Sequence, residues 1–180
     1  LAKELKLIRV SAPLFVKPST GLNDYLSGKE KPVDFFVKSL AEHVEIVQSL
    51  AKWKRYALKK YNILNGRGIY ADMNAIRPDE IPDNLHSIYV DQWDWEKTIH
   101  EEDRNSLFLQ NIVRRIYAVF LRTQKIVKAH FPVLTAQYNE DIYFITAEEL
   151  RVRYPNLSSS QREEAICKEH KCVFVSQIGK

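Results

Sequence analysis

The sequence predicts an α+β fold, a largely antiparallel β-sheet flanked by helices, and three observations carry that expectation. Strand-like runs in the first half, such as PVDFFVK and HVEIVQS, follow one another across short loops with no helix between them. Two stretches, residues 50–61 and about 104–130, repeat apolar side chains at helical spacing. The run YVDQWDWE, residues 89–96, alternates side-chain character as only a strand can use, because successive strand residues point to opposite faces. With 180 residues, 45% hydrophobic and 28% charged, the chain can bury a sizeable core, and residues 1–180 read as a single domain.

Taken in order, LAKELKL at residues 1–7 reads as the end of a helix. IRVSAPLF, 8–15, is a strand broken at Pro13, which has no N–H for a ladder. Residues 18–31 gather Pro, Ser, Thr, Asn, Asp and two Gly into a loop. PVDFFVK and HVEIVQS form a hairpin joined through residues 39–42. LAKWKRYALKKY, 50–61, is helical, and NGRG, 65–68, reads as a hairpin turn signalled by Asn65 and Gly66. IYADMNAI, 69–76, is a strand that ends at Arg77 and Pro78, and a polar loop over 79–84 leads to the strand at 89–96. The long helix follows, with Leu109, Ile112, Ile116, Phe120, Thr123 and Val127 as its core-facing stripe and Pro132 beyond its end. DIYFIT, 141–146, is a strand. Thr146-x-x-Glu149 and Ser160-x-x-Glu163 are capping boxes opening two short helices, and KCVFVSQI, 171–178, is the last strand.

The net charge of +4 and a pI of about 9.0 are compatible with nucleic acid and equally with a small anionic substrate, because the basic residues are spread through the helices. No apolar run approaches a membrane span and the N-terminus has no signal-peptide core, so no membrane association is expected. Two cysteines make no disulfide framework, which points to a reducing, cytoplasmic setting. Cys167, His170 and Cys172 lack zinc-site spacing, so no metal ligand is assigned. The chain opens at Leu1 in helical sequence and stops just after a strand, and both ends read as cut.

The strand at 89–96 places Gln92, Asp94 and Glu96 on one face, following His86, Ile88 and Val90, and Tyr89, Trp93 and Trp95 on the other. Ile88 and Val90 speak for burial of both faces. A buried carboxylate without a partner is strongly disfavoured. The acids therefore bind each other or a ligand that arrives. In the helix over 50–61, Leu50, Trp53, Ala57, Leu58 and Tyr61 share one arc, and Lys54 falls inside it. Its ammonium either snorkels to water or meets an anion over the sheet. Ser49, where strand becomes helix, either caps the helix or faces the same ligand. Arg77 ends a strand opposite the acidic run, and its planar fork suits a phosphate or carboxylate.

SLAKWKR (49–55), RPDE (77–80), LHSIYVDQWDWE (85–96), RYPNL (153–157) and NDYLSG (23–28) resemble ammonia-dependent asparagine synthetase, the aspartate–ammonia ligase family, in matching order over nearly the whole chain. That family is similar to the catalytic core of class II aminoacyl-tRNA synthetases. LKLIRVSAPLF resembles the first class II motif, which supplies a dimer interface, and RPDE with LHSIYVDQWDWE resembles the second, which carries an arginine for the α-phosphate. Gln48 departs from the histidine that precedes the matching run in a bacterial member.

The resemblance implies a homodimer that adenylates the β-carboxylate of L-aspartate with ATP and magnesium, then lets ammonia displace AMP. It assigns Arg77 to the α-phosphate, Gln92 and Asp94 to the substrate α-ammonium, and Asp24 to closing over the amino acid. Ser49 and Lys54 contact the amino acid, Lys54 by pairing with a carboxylate. The tryptophans on the opposite face would anchor their strand to helices behind it. Members of the family are longer and carry a third motif in a second half, so these residues look like the N-terminal half of such an enzyme. The alternative is a non-catalytic, truncated paralogue that binds an amino acid or dimerises. A tRNA-binding fragment is the third reading; the chain has no separate oligonucleotide-binding domain pattern, and no nucleic-acid partner is expected.

Overall fold

The structure is a computed structural model that describes residues 1–26, 28, 30–135 and 138–179. The chain forms two compact units, Ala2–Arg104 and Asn105–Lys180 with Leu1.

The first unit begins with a short helix, α1 (Ala2–Leu5), and two strands, β1 (Leu7–Arg9) and β2 (Phe15–Val16), separated at Pro13 as its ring requires. The loop after β2 opens with a 3-10 turn, Pro18–Thr20; positions 27 and 29 of the expected 18–31 loop lie outside the described residues. β3 (Asp34–Val37) and β4 (Glu42–Ile46) form the expected antiparallel hairpin, with Asp34 opposite Glu45 and Val37 opposite Glu42. α2 (Ala51–Lys60) is built from strong helix formers and ends in Lys59 and Lys60, which complement its negative C-terminal pole. β5 (Gly68–Ile76) and β6 (Tyr89–Lys97) then pair antiparallel over nine residues each.

Two sheets result, in the orders β1-β5-β6 and β2-β4-β3. The expected antiparallel character holds for β5 with β6 and for both pairings of β4, whereas β1 lies parallel to β5. Gly68 stands where β1 and β6 both meet β5. A Cβ there would lie 2.3 Å from the Glu96 carbonyl oxygen and 2.6 Å from Leu7 Cδ2, so only glycine lets the three strands close.

The core of this unit packs α2, through Leu50, Trp53 and Ala57, onto Ile69, Ala71, Met73 and Ala75 of β5. Those four β5 residues lie opposite Glu96, Asp94, Gln92 and Val90, so α2 covers the acidic face of β6. Tyr61, expected in the helix arc, is exposed because α2 ends at Lys60 and the chain turns away. NGRG joins α2 to β5, a helix-to-strand turn and not a hairpin, with the Gly66 N–H donating to the Thr98 carbonyl. On the far face of the sheet Trp93 packs on Tyr70 of the neighbouring strand, with centroids 4.9 Å apart.

The second unit contains α3 (Ser106–His130), β7 (Tyr143–Thr146), α4 (Ala147–Arg153), α5 (Ser159–His170) and β8 (Val173–Ser176), with β7 parallel to β8. Ile145, Leu150 and Ile166 form its buried centre. In α3 the buried positions are Val113 and Tyr117, while Leu109, Phe120 and Val127 of the expected stripe are exposed. The capping box at Thr146 and Glu149 is present. The second box is Ser158 with Gln161, two residues before the expected pair, because the extended Ser158 backbone already presents its hydroxyl to the Gln161 N–H. Among the described residues no helix is long and apolar enough to cross a membrane.

Candidate active site

The alternation of β6 determines where its polar side chains go. Asp94 and Glu96 turn toward α2, and α2 answers with Lys54 from within its apolar arc. Lys54 is 5% exposed. Its Nζ donates to Asp94 Oδ1 at 2.5 Å and to the Trp95 carbonyl at 3.2 Å, and lies 3.8 Å from Glu96 Oε2. Of the two readings of Lys54 the structure realises the second: the ammonium meets anions over the sheet. One ammonium faces two carboxylates, so the cluster keeps one negative charge in excess. Gln92, two residues along the same face, is exposed.

At the other end of the ladder the Arg77 N–H donates to the Ile88 carbonyl at 2.8 Å, which extends the pairing one residue past β5. Arg77 shares the α2-facing side with Ala71, Met73 and Ala75. Asp94 lies opposite Ala71, so Arg77 stands six residues along β5, roughly 20 Å at strand spacing, with Gln92 between them. The Arg77 Nε is buried and has no hydrogen-bond partner among the described residues. Arg77 lines a cavity of about 240 Å³ together with Glu30, Gln48, Asp79 and Glu80.

Ser49 stands just before α2, and Asp24 lies in the loop after β2. Ser49 Oγ accepts from the Ala51 N–H at 3.2 Å, the helix-start bond that was one of its two readings. Asp24 follows the buried Asn23, whose side chain ties the loop to the end of β4. Asn23 Oδ1 accepts from the Gln48 N–H at 2.9 Å, and its Nδ2 donates to Glu45 Oε2 at 3.1 Å. The Tyr25 hydroxyl donates to the same Glu45 oxygen at 2.8 Å, and this bond holds the phenol above its ordinary pKa. Asp24 Oδ1 lies 3.8 Å from Lys52 Nζ. The loop between β5 and β6 is pinned by Asp83, whose Oδ1 accepts from the N–H groups of Leu85 and His86 at 2.7 Å each. Those bonds and the one to the His86 ring lower its pKa.

The fold therefore brings Lys54 and Asp94 into direct contact and sets Gln92 beside them. Arg77 is placed separately, at the cavity. Sequence reasoning missed Asn23, Glu45 and the cavity residues Glu30, Asp79 and Glu80. A polar Gln48 immediately before Ser49, at a strand-to-helix corner, was the one local signal of that cavity.

A family model described as Aspartate-ammonia ligase matches residues 1–180. The chain is 58% identical over 179 residues to the Aspartate--ammonia ligase of Fusobacterium nucleatum, covering 99% of this chain and 54% of that protein. It is 53% identical over 180 residues to the enzyme of the same name from Bacteroides thetaiotaomicron, covering 99% of this chain and 52% of that one. The chain thus spans about half the length of the curated relatives it matches. Among solved structures it is similar to Entamoeba histolytica asparaginyl-tRNA synthetase in complex with asparaginyl-adenylate. The TM-score is 0.59 at 13% identity, covering 97% of this chain and 38% of that one. At that identity the likeness shows the fold, the synthetase-like α+β arrangement expected from the sequence.

Proposed function

The chain belongs to the aspartate–ammonia ligase family, and on that premise we propose that it serves an enzyme making L-asparagine from L-aspartate, ammonia and ATP. In this reading residues 1–180 belong to one synthetase-like catalytic domain of a cytoplasmic homodimer. The family match across both compact units supports the single-domain assignment.

The reaction runs in two steps. A β-carboxylate oxygen of aspartate attacks the α-phosphorus of ATP, forming the aspartyl-adenylate and releasing pyrophosphate. Ammonia then attacks the acyl carbon and AMP leaves with the C–O electron pair. Magnesium enters as part of the nucleotide substrate, whose phosphates supply oxygen ligands. The protein's contribution is positioning and charge.

The observation that carries this reading is the buried, unpartnered Nε of Arg77 beside a cavity. A guanidinium with an N–H to spare can bind a phosphate oxygen and neutralise the charge that grows on it. The excess negative charge around Lys54, Asp94 and Glu96 suits the substrate α-ammonium, with Gln92 as a further acceptor. Two of the three Lys54 N–H groups are engaged by Asp94 and Trp95, which leaves a third for a carboxylate of aspartate. Asp24, on the loop pinned by Asn23, closes over the amino acid, and Ser49 bounds it at the helix start.

The test is conversion of labelled aspartate to asparagine by the intact protein with ATP and ammonium chloride. AMP and asparagine should appear in equal amounts. Asparagine made with ADP, or none made at all, would remove the adenylate reading.

A further inference from the structure

Gln48 is 2% exposed, and its Oε1 has no hydrogen-bond partner among the described residues. Its backbone is fixed, because the Gln48 N–H donates to Asn23 Oδ1 at 2.9 Å. Buried amide oxygens are nearly always matched by a donor. The Gln48 side chain lines the same cavity as Arg77, whose Nε is equally unmatched. The cavity thus presents one orphan acceptor and one orphan donor. Among the described residues that line it, Asp79 and Glu80 bring two carboxylates beside the one guanidinium, and Glu30, which is engaged by a partner of its own, lines it as well.

Resting on the ligase reading, we propose that this cavity is the site of the nitrogen nucleophile and that Gln48 Oε1 receives it. Three features favour a small nitrogen cation. Asp79 and Glu80 outnumber the guanidinium among the described lining residues, so a cation is favoured there beside the phosphate that Arg77 binds. Ammonium carries only N–H donors, the complement of an orphan oxygen. Its place beside Arg77 puts the nitrogen next to the phosphate that Arg77 holds, and hence next to the acyl carbon bonded to that phosphate.

The chemistry balances without a further reactant. Ammonium gives one proton to a cavity carboxylate. The freed lone pair forms the C–N bond to the acyl carbon, and the C–O bond to the phosphate breaks as AMP departs with its electron pair. A second proton passes from the nitrogen to the other of the Asp79 and Glu80 carboxylates as the amide forms. Gln48 touches the nucleophile throughout and takes no proton.

The test compares two reactions of the intact protein. Aspartate-dependent exchange of pyrophosphate into ATP needs no nitrogen nucleophile, whereas asparagine formation needs ammonium. Gln48→Met keeps the length of the side chain and removes the acceptor. It should raise the ammonium KM about tenfold or more, the usual loss for a hydrogen bond to a charged group, and slow exchange by less than about threefold. Gln48→Glu retains an acceptor oxygen and should keep the ammonium KM within about threefold of the parent. The proposal is overturned by an unchanged ammonium KM in Gln48→Met. It is also overturned if exchange falls in step with synthesis, or if Gln48→Glu loses ammonium affinity as far as Gln48→Met. Absence of exchange in the unaltered protein is a separate failure, which removes the ligase reading and this site with it.

Discussion

The Lys54 ammonium lies 2.5 Å from Asp94 Oδ1, the shorter of its two contacts with the carboxylates of β6. One partner comes from a helix that is otherwise apolar on this side, the other from a strand of alternating tryptophans and acids. Lys54 is nearly sealed from water, while the Asp94 side chain is 26% exposed. This pair ties α2 to the sheet and leaves the Asp94 carboxylate partly open to solvent.

Removing the cation should expose that dependence. Lys54→Met leaves Asp94 and Glu96 facing each other without a counter-charge, and should lower stability by about 2–3 kcal/mol, less than for a fully buried pair. Adding Asp94→Leu should recover at least half of the loss. Urea unfolding of the four proteins in the cycle measures the coupling, and additive losses would mean that the pair does not interact.

Asp94→Asn separates the ligand role from the structural one. It should raise the aspartate KM about tenfold or more, with the ATP KM within about threefold. Equal losses for both substrates would make Asp94 a support for Lys54 and nothing else.

Gly68→Ala tests the junction of β1, β5 and β6. The added methyl meets the Glu96 carbonyl oxygen and the Lys97 Cα, neither of which can swing aside as a side chain would. A loss of about 2 kcal/mol or more is expected in thermal or urea unfolding. A change under about 0.5 kcal/mol, the usual size of a neutral surface substitution, would show that the strands meet less closely.

Asp83 provides a pH dependence with a defined sign. The Leu85 and His86 N–H groups favour its ionised form, so its folded pKa lies below the unfolded one. The bonds therefore contribute stability above the ordinary aspartate range, and that contribution is lost as pH falls through the folded pKa, below about pH 4. Carboxyl carbon shifts from an NMR titration should show an Asp83 midpoint under that of an exposed aspartate, with the Leu85 and His86 amide signals moving alongside. An ordinary midpoint would contradict the three-bond turn.

The parts of the site that lie on a single periodic element were legible in the sequence. Period-two alternation alone separated Gln92, Asp94 and Glu96 from the tryptophans. The helical arc alone put Lys54 on the side of α2 that faces the sheet, although it could not say what the ammonium would meet. Pairing Lys54 with Asp94 needed the placement of α2 on β6, a contact across 40 residues. The cavity was out of reach because Glu30, Gln48 and Arg77 come from three separate segments with no shared period. The α3 stripe failed for a related reason. Several helical lines are apolar there, and the buried positions, Val113 and Tyr117, fall on a line other than the expected one. The capping box at Ser158 lost to the Ser160 pattern because both positions carry serine and only backbone geometry decides between them.

Aspartate-dependent exchange of labelled pyrophosphate into ATP, measured on the intact protein and on its Arg77→Ala variant, tests most directly whether Arg77 holds the α-phosphate of an aspartyl-adenylate. The unaltered protein should exchange label only when aspartate is present, and the variant should lose at least about 10²-fold of that rate, as for removal of a key charge-stabilising donor, while remaining folded. Undiminished exchange in Arg77→Ala would contradict that assignment, and exchange that ignores aspartate would contradict the adenylate itself.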